Sequence, residues 1–381
     1  MNMRVNTIKN YNIYNHNHVK SNDNNVNSND FKSNKSNNLS PYSNVVTFSA
    51  NIKNIGLPAK NYDLNNKTIL ITGATGTLGN ALIKELLENY KPKQIIVYSR
   101  DEYKQYKLKQ KLPKNAPIKF IIGDIRDEMA INKAIKNTDV IIHTAAMKHV
   151  SICEENKEET IKTNFFGTLN LINATLESNV QRFILISTDK AANPENFYGQ
   201  SKKLAEKLTQ NANYKSNENQ LFSTIRMGNI LGSRGSVLPL FEEQKTNGEL
   251  TVTNEKMTRF FISPKQAAKQ VLSSVEIMRG GETFIPKLKS AKIIDLAKEI
   301  APECKIKIIG EQKEEKIHED LITKTELKNT YELVDRYVIL PNKTFKEAKK
   351  LADEFSFSSD DENITFTKEE LNKIIQECKT K

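Results

Sequence analysis

TILITGATGTLG, residues 68–79, decides the fold. Five residues with apolar or β-branched side chains form a strand too uniformly hydrophobic to face water on either side. They run straight into Gly73, Gly76 and Gly79, and Asn80–Tyr90 then follows with a helical period carried by Ala81, Leu82, Leu86 and Leu87. Glycines at a strand-to-helix turn let backbone approach an anion closely, and the free N–H groups of the helix start favour negative charge there. A glycine turn alone is a weak signal, but one placed directly after a first strand and opening a helix predicts a dinucleotide pyrophosphate site. Gly73, Thr75, Gly76, Thr77, Leu78 and Gly79 are its candidate contacts.

Outward from that turn, short β-branched runs alternate with helical stretches. Strands are predicted at Thr68–Thr72, Gln94–Ser99, Ile118–Ile122, Asp139–His143, Arg182–Ser187 and Phe222–Met227, with a long helix over Ile161–Ser178. Apolar strands separated by helices imply a parallel sheet covered on both faces, so the expected fold class is α/β, a doubly wound parallel sheet of the Rossmann type. After Gly232 the regularity weakens and prolines at 239, 264, 286 and 341 punctuate the chain, which predicts a smaller C-terminal substrate-binding lobe. The expected organisation is a disordered Asn/Ser-rich tail over 1–50, a cofactor-binding domain with the catalytic residues over 51–232, and a mainly substrate-binding lobe over 233–381. The tail has too few core-forming residues to offset its ordering entropy.

Composition narrows the class. With 38% hydrophobic residues in 381, the chain can bury a full core, yet no run approaches the roughly 20 apolar residues that cross a bilayer. The N-terminal residues lack the apolar centre of a secretory signal, so a cytosolic location without membrane partners is expected. Cys153, Cys304 and Cys378 lie far apart, with no metal-ligand spacing and no even pairing, in keeping with a reduced compartment. The net charge of +11 would suit nucleic acid, but the lysines are interspersed with glutamates and never form a basic run with aromatics. An acidic surface or a phosphate-bearing substrate and cofactor would suit the charge equally, composition alone does not choose between them, and no nucleic-acid partner is expected.

The second predicted strand ends in VYSRDEYK, residues 97–104, where the adenosine ribose is normally read. Ser99 and Arg100, with Asp101 behind them, suit a 2′-phosphate and hence NADP; the plainer alternative is an Arg100–Asp101 pair in solvent. GDIRD, residues 123–127, follows the third strand. There Asp124 could accept from the adenine amine, with Ile125 beside it, or could simply form a turn and helix cap. Ala145, after the fourth strand, completes the candidate cofactor contacts.

STDKAANPENFYGQSKK, residues 187–203, carries the chemistry. Tyr198 and Lys202 stand one helical turn apart on one face, and an ammonium beside a phenol lets tyrosinate act as a base near neutral pH. TGATGTLG, HTAAMKHV, STDKAANPENFYGQSK, RMGNILGSRGSVLPLF, MTRFFIS and EEKIHEDLIT together resemble the extended short-chain dehydrogenase/reductases acting on nucleotide sugars. Within these they look most like soluble UDP-N-acetylglucosamine 4,6-dehydratases, including the inverting type, from about Asn65 to Ile375.

The resemblance implies a homo-oligomer that takes UDP-N-acetylglucosamine as substrate. It implies that Thr188 polarises the C4 oxygen, Tyr198 removes the C4 hydroxyl proton, and NADP, held partly by Tyr198 and Lys202, takes the C4 hydride. Lys190, neutral, would then remove the C5 proton, and Asp189, protonated, would release the C6 hydroxyl as water. Lys148, Asn229 and Arg259 would bind substrate. Arg259 could instead be a core-edge arginine packing its stem, and Asp189–Lys190 an ordinary surface turn. One departure stands out: the family's usual Arg-Pro-Gly-Glu-Lys run is replaced by EQKEEKIHE, residues 311–319, so the glycine turn is expected to be lost. A 4-epimerase on the same fold, needing only Tyr198, and a non-enzymatic dinucleotide sensor are the rival readings.

Overall fold

The computed structural model describes residues 62–311, 313–340 and 348–379. The tail over 1–50 and Pro341 lie outside the described residues. In chain order the strands are β1 (Thr68–Thr72), β2 (Gln94–Ser99), β3 (Ile118–Ile122), β4 (Val140–His143), β5 (Arg182–Thr188), β6 (Leu221–Met227), β7 (Asn229–Ile230) and β8 (Glu249–Val252). They continue with β9 (Thr258–Ile262), β10 (Thr283–Pro286), β11 (Lys289–Lys292), β12 (Lys305–Ile308), β13 (Thr330–Glu332), β14 (Arg336–Ile339) and β15 (Lys349–Lys350). Among the described residues, ten of these make one sheet in the order β15-β13-β14-β10-β6-β5-β4-β1-β2-β3. The run from β3 to β10 is parallel, and β14, β13 and β15 close the far edge antiparallel.

The strand order 3-2-1-4-5-6 is that of the doubly wound dinucleotide-binding class, whose ligand crevice opens beyond the carboxyl ends of the strands where the order reverses. All five residues of β1 are buried, as the uniform apolar run required. Leu70, Ile96, Ile141, Phe183, Leu185 and Phe222 from successive strands pack with Leu171 and Ile172 of the helix Gly167–Leu176 into one core. The helix predicted over Ile161–Ser178 is two pieces, because Ile161–Phe166 winds in wide π-type turns before the α-helix begins. Residues beyond Gly232 contribute both to the main sheet, through β10 and β13 to β15, and to a smaller layer. That layer sets β11, β9 and β7 beside the pair β12 and β8, over a second core that includes Phe241, Leu250, Phe261, Leu296 and Ile375. Among the described residues no helix is long and apolar enough to cross a membrane.

A buried ionic network ties the C-terminal segment to the sheet. Arg226 on β6, 1% exposed, donates from Nε and Nη2 to both oxygens of Glu206 at 3.0 and 2.8 Å. Glu206 lies on the helix Phe197–Lys215 and also accepts from Ser187 on β5 at 2.6 Å. The Arg226 guanidinium reaches further, to the Leu321 carbonyl at 2.7 Å and to both oxygens of Glu326 at 3.0 Å. Burial alone would push Glu206 upward, but Arg226 outweighs it and holds the carboxyl below its ordinary range; Glu326 is held low in the same way.

Arg226→Met would leave these carboxylates only Lys203, 3.7 Å from Glu206 and 2.9 Å from Glu326, a loss of about 3 kcal/mol that urea denaturation at pH 7 would read. Because both carboxyls titrate lower in the folded state, their contribution is full above an ordinary glutamate value of about 4.3 and fades as pH falls below it. A loss under about 1 kcal/mol would contradict the network's structural role.

Candidate active site

Thr188 ends β5, Asp189–Ala191 make a single 3-10 turn, and the helix Phe197–Lys215 starts six residues later. Asn196 caps that helix, its side chain accepting from the Gly199 N–H at 2.8 Å. Gly199 is required for close approach: a Cβ there would stand 2.2 Å from the Lys190 carbonyl oxygen. Its absence lets the helix carry Tyr198 against the turn. Tyr198 and Lys202 are 9% and 3% exposed on the same helix face. Asp189 is fully buried, and its Oδ1 accepts from the Thr188 hydroxyl at 2.8 Å, from the Lys190 N–H at 2.9 Å and from Lys190 Nζ at 3.1 Å. The open surface turn considered from sequence is therefore excluded.

A second carboxylate completes the cluster. Glu319, 1% exposed, sets Oε1 3.1 Å from Lys190 Nζ, so the ammonium lies between two buried acids. Glu319 is fixed through its backbone, whose N–H donates to Ser359 Oγ at 2.9 Å and whose carbonyl accepts from Ser359 N. Among the described residues, Asp189 Oδ2 and Glu319 Oε2 are buried with no hydrogen-bond partner, although Lys316 Nζ stands 3.9 Å from the latter. Lys190, Glu319, Asn196 and the segment Lys313–Lys316 line a cavity of about 420 Å³ together with Val150, Ser151 and Glu154.

The charges differ from the sequence expectation. Burial alone would depress the Lys190 ammonium, but Asp189 and Glu319 together outweigh it and hold the group well above its ordinary value. Lys190 thus rests protonated, not neutral. Burial pushes Glu319 upward, assisted by the Asp189 charge and opposed by Lys190. Burial also pushes the Tyr198 phenol up to about 12, and the nearby cation that opposes the rise is Lys190, with a hydrogen bond involving Thr188 also lowering it. Lys202, expected to be that cation, is itself brought down by burial to about 8.

At the glycine turn, Gly73 adopts φ +64°, a conformation that favours glycine, and its N–H donates to the Tyr98 carbonyl. A Cβ on Gly79 would lie 2.4 Å from the Ala74 carbonyl oxygen, so only glycine lets the helix Thr77–Asn89 pack this closely on the turn. Ser99 is buried and accepts from Gln105 at 3.1 Å. Arg100 stands out from the end of β2, its side chain 60% exposed, 3.6 Å from Asp124 and not paired with Asp101. Asp101 instead caps the helix Glu102–Lys111 and pairs with Lys104 at 2.6 Å. The Asp124 carboxylate is gripped by Arg126 at 2.7 to 3.1 Å, so its acceptors are already engaged. Ile125 is buried in the core, and the Ala145 N–H donates to Thr72 Oγ1 at 3.2 Å.

Of the three candidate substrate residues, Lys148 donates to the Arg234 carbonyl at 2.8 Å and so fastens the loop Gly232–Gly235, both of whose glycines have positive φ. Arg234 donates in turn to the Thr75 carbonyl of the glycine turn. Asn229 on β7 pairs opposite Phe261, two residues from Arg259 on β9, which puts Asn229 and Arg259 on one face of that small sheet. Arg259 is 4% exposed, and its donors go to the carbonyls of Thr258, Lys316 and Ile317 and to Glu315 at 3.2 Å. Here it holds the segment 315–317 in place. The turn expected to vanish with its glycine is retained, because Glu314 adopts φ +65°.

Comparison with known proteins places these features in context. The family described as polysaccharide biosynthesis protein matches residues 69–341. A UDP-N-acetylglucosamine 4,6-dehydratase (inverting) from Campylobacter jejuni is 44% identical over 328 residues, covering 82% of this chain and 98% of its own. The crystal structure of Pen from Bacillus thuringiensis is 38% identical and superposes with a TM-score of 0.77 over 83% of this chain and all of that one. A UDP-glucose 4-epimerase from Rickettsia bellii is 39% identical over 283 residues, 72% of this chain and 83% of its own.

Proposed function

The chain belongs to the polysaccharide biosynthesis protein family, and we propose that it is a nucleotide-sugar 4,6-dehydratase. It would convert UDP-N-acetylglucosamine to a UDP-4-keto-6-deoxy-N-acetylhexosamine with inversion at C5, a lyase reaction with internal redox. The observation that carries this reading is the buried carboxyl and amine of Asp189 and Lys190, 3.1 Å apart at the carboxyl end of β5 beside Tyr198. The Campylobacter relative, covered almost end to end, supports the same activity.

The residues at the glycine turn fit a dinucleotide. Gly73 and Gly79 hold positions that a side chain would strain or block, so bare backbone faces the start of the helix Thr77–Asn89. Arg100, exposed at the end of β2 with the neighbouring Asp101 engaged by Lys104, favours a 2′-phosphate and therefore NADP over NAD. Bound NADP would supply a hydride acceptor for C4 and a hydride donor for C6.

The chain's own residues handle protons. Tyr198, assisted by Thr188, would take the C4 hydroxyl proton, with the Lys190 charge favouring tyrosinate. A C4 ketone acidifies the C5 hydrogen, because the pair left behind delocalises as an enolate. The resting cluster has its proton on Lys190, but one transfer across 3.1 Å to Asp189 Oδ1 creates an amine base and a carboxylic acid together at no change in net charge. Lys190 then removes the C5 proton while Asp189 protonates the departing C6 hydroxyl. A 4-epimerase, favoured by the Rickettsia relative, needs only Tyr198 and has no use for a buried acid–amine pair. Lys148, Asn229 and Arg259 remain proposed substrate contacts, Arg259 acting by ordering the loop that faces the sugar. A cytosolic homo-oligomer is part of the same proposal.

Lys190→Ala should lower water loss from UDP-N-acetylglucosamine, followed by product mass, by at least about 10²-fold while NADP binding persists. Unchanged turnover would remove Lys190 from the mechanism. Arg100→Asp should move the ratio of kcat/KM for NADP over NAD towards NAD; an unchanged ratio would refute the 2′-phosphate assignment.

A further inference from the structure

Beside Lys190, the cavity wall holds a buried acid from a part of the chain that the proton chemistry above does not use. Glu319 reaches Lys190 from the far side, 3.1 Å from Nζ, while its own backbone is clamped by Ser359. Its second oxygen is buried with no hydrogen-bond partner among the described residues, while the residue itself lines a cavity of about 420 Å³. A carboxylate that served only to hold the fold together would have both oxygens satisfied, as Glu206 does.

Resting on the dehydratase reading, we propose that Glu319 is a positioning residue for Lys190, steadying its amine over C5 and strengthening it as a base through its negative charge. The step balances without an added reactant. Lys190 Nζ gains the C5 proton, the C5–H electron pair becomes the C5–C6 double bond, the C6–O bond breaks, and Asp189 gives its proton to the departing oxygen, which leaves as water. The cluster then holds Asp189 as carboxylate and Lys190 as ammonium, with the ammonium 3.1 Å from an oxygen of each acid. Glu319 therefore stabilises the charge that develops on Lys190 as the proton arrives.

Several groups face this cluster and set its titration. Asp189 comes from the turn after β5, Tyr198 from the following helix, Arg259 from β9, and Glu315 and Lys316 from the loop before Glu319, while Glu154 lines the same cavity. Removing the Glu319 charge lowers the proton affinity of Lys190, which Glu319 helps to raise. The cluster then loses its proton more readily, and the alkaline limb of the pH–rate profile should move to lower pH.

Glu319→Gln keeps the shape and removes the charge. With NADP and UDP-N-acetylglucosamine, kcat should fall about 10²-fold with KM within a few fold, and the alkaline limb should shift to lower pH. Glu319→Asp should recover part of kcat. Melting temperature and NADP affinity, read by calorimetry on the same preparations, should stay close to those of the unsubstituted protein. A kcat and pH profile matching the unsubstituted protein would overturn the proposal. So would a fall in activity explained by a lowered melting temperature with an unmoved profile. If the unsubstituted protein itself releases no water from the sugar, the dehydratase reading fails instead, and the two failures are told apart in one experiment.

Discussion

Lys190 holds its ammonium 3.1 Å from each of two buried carboxylates, and the rest of the site is arranged to make that cluster possible. Three charged groups withdrawn from water are costly unless they are paired closely and held rigidly. The rigidity comes from both sides. Gly199 lets a helix lie against the Lys190 carbonyl, and Arg226 binds the helix through Glu206 and the C-terminal segment through Leu321 and Glu326. Glu319 sits two residues from that anchor. The same network that stabilises the fold thus sets the distance between a base and the acid opposite it.

The cluster carries two carboxylates for one ammonium, so it draws protons. Burial in a region of low effective dielectric strengthens each pairwise interaction, and a proton can be relocated within the cluster without a change in net charge. An elimination that must remove hydrogen from one carbon and hydroxyl from the next benefits from an acid and a base generated in one transfer. The small sheet of β7, β9 and β11 supplies the roof: Arg259 gathers the carbonyls of residues 316 and 317, and Lys316 is drawn towards Glu319. Glu314 keeps the loop's turn in a left-handed backbone that costs a non-glycine residue on the order of 1 kcal/mol.

Much of this was legible in the chain. The strands Thr68–Thr72, Gln94–Ser99 and Ile118–Ile122 were readable to the residue, because β-branched runs bounded by glycine or polar turns have few alternatives. The reactive turn was legible too, since Thr188, Asp189, Lys190 and Tyr198 are near neighbours between a strand and a helix. Glu319 stands within EEKIHEDLIT, but its pairing with Lys190 was not legible: it lies 130 positions beyond Asp189, in a loop with no periodicity, and only the fold brings the two together. The proton placement on Lys190 is hidden for the same reason, because the sum of Asp189 and a distant second carboxylate, not burial, decides it. Arg126, two residues from Asp124, was in view, but which way a side chain turns out of a loop is not encoded in spacing.

On the proposed mechanism this cluster removes hydrogen from C5 of a bound hexose. Incubation of the purified protein with NADP and UDP-N-acetylglucosamine in deuterated water, followed by NMR of the product, tests it most directly. Elimination by the cluster gives a C6 methyl, a C4 ketone and deuterium at C5 in the inverted configuration. Recovery of a C4 epimer with its C6 hydroxyl intact and no deuterium at C5 would contradict it.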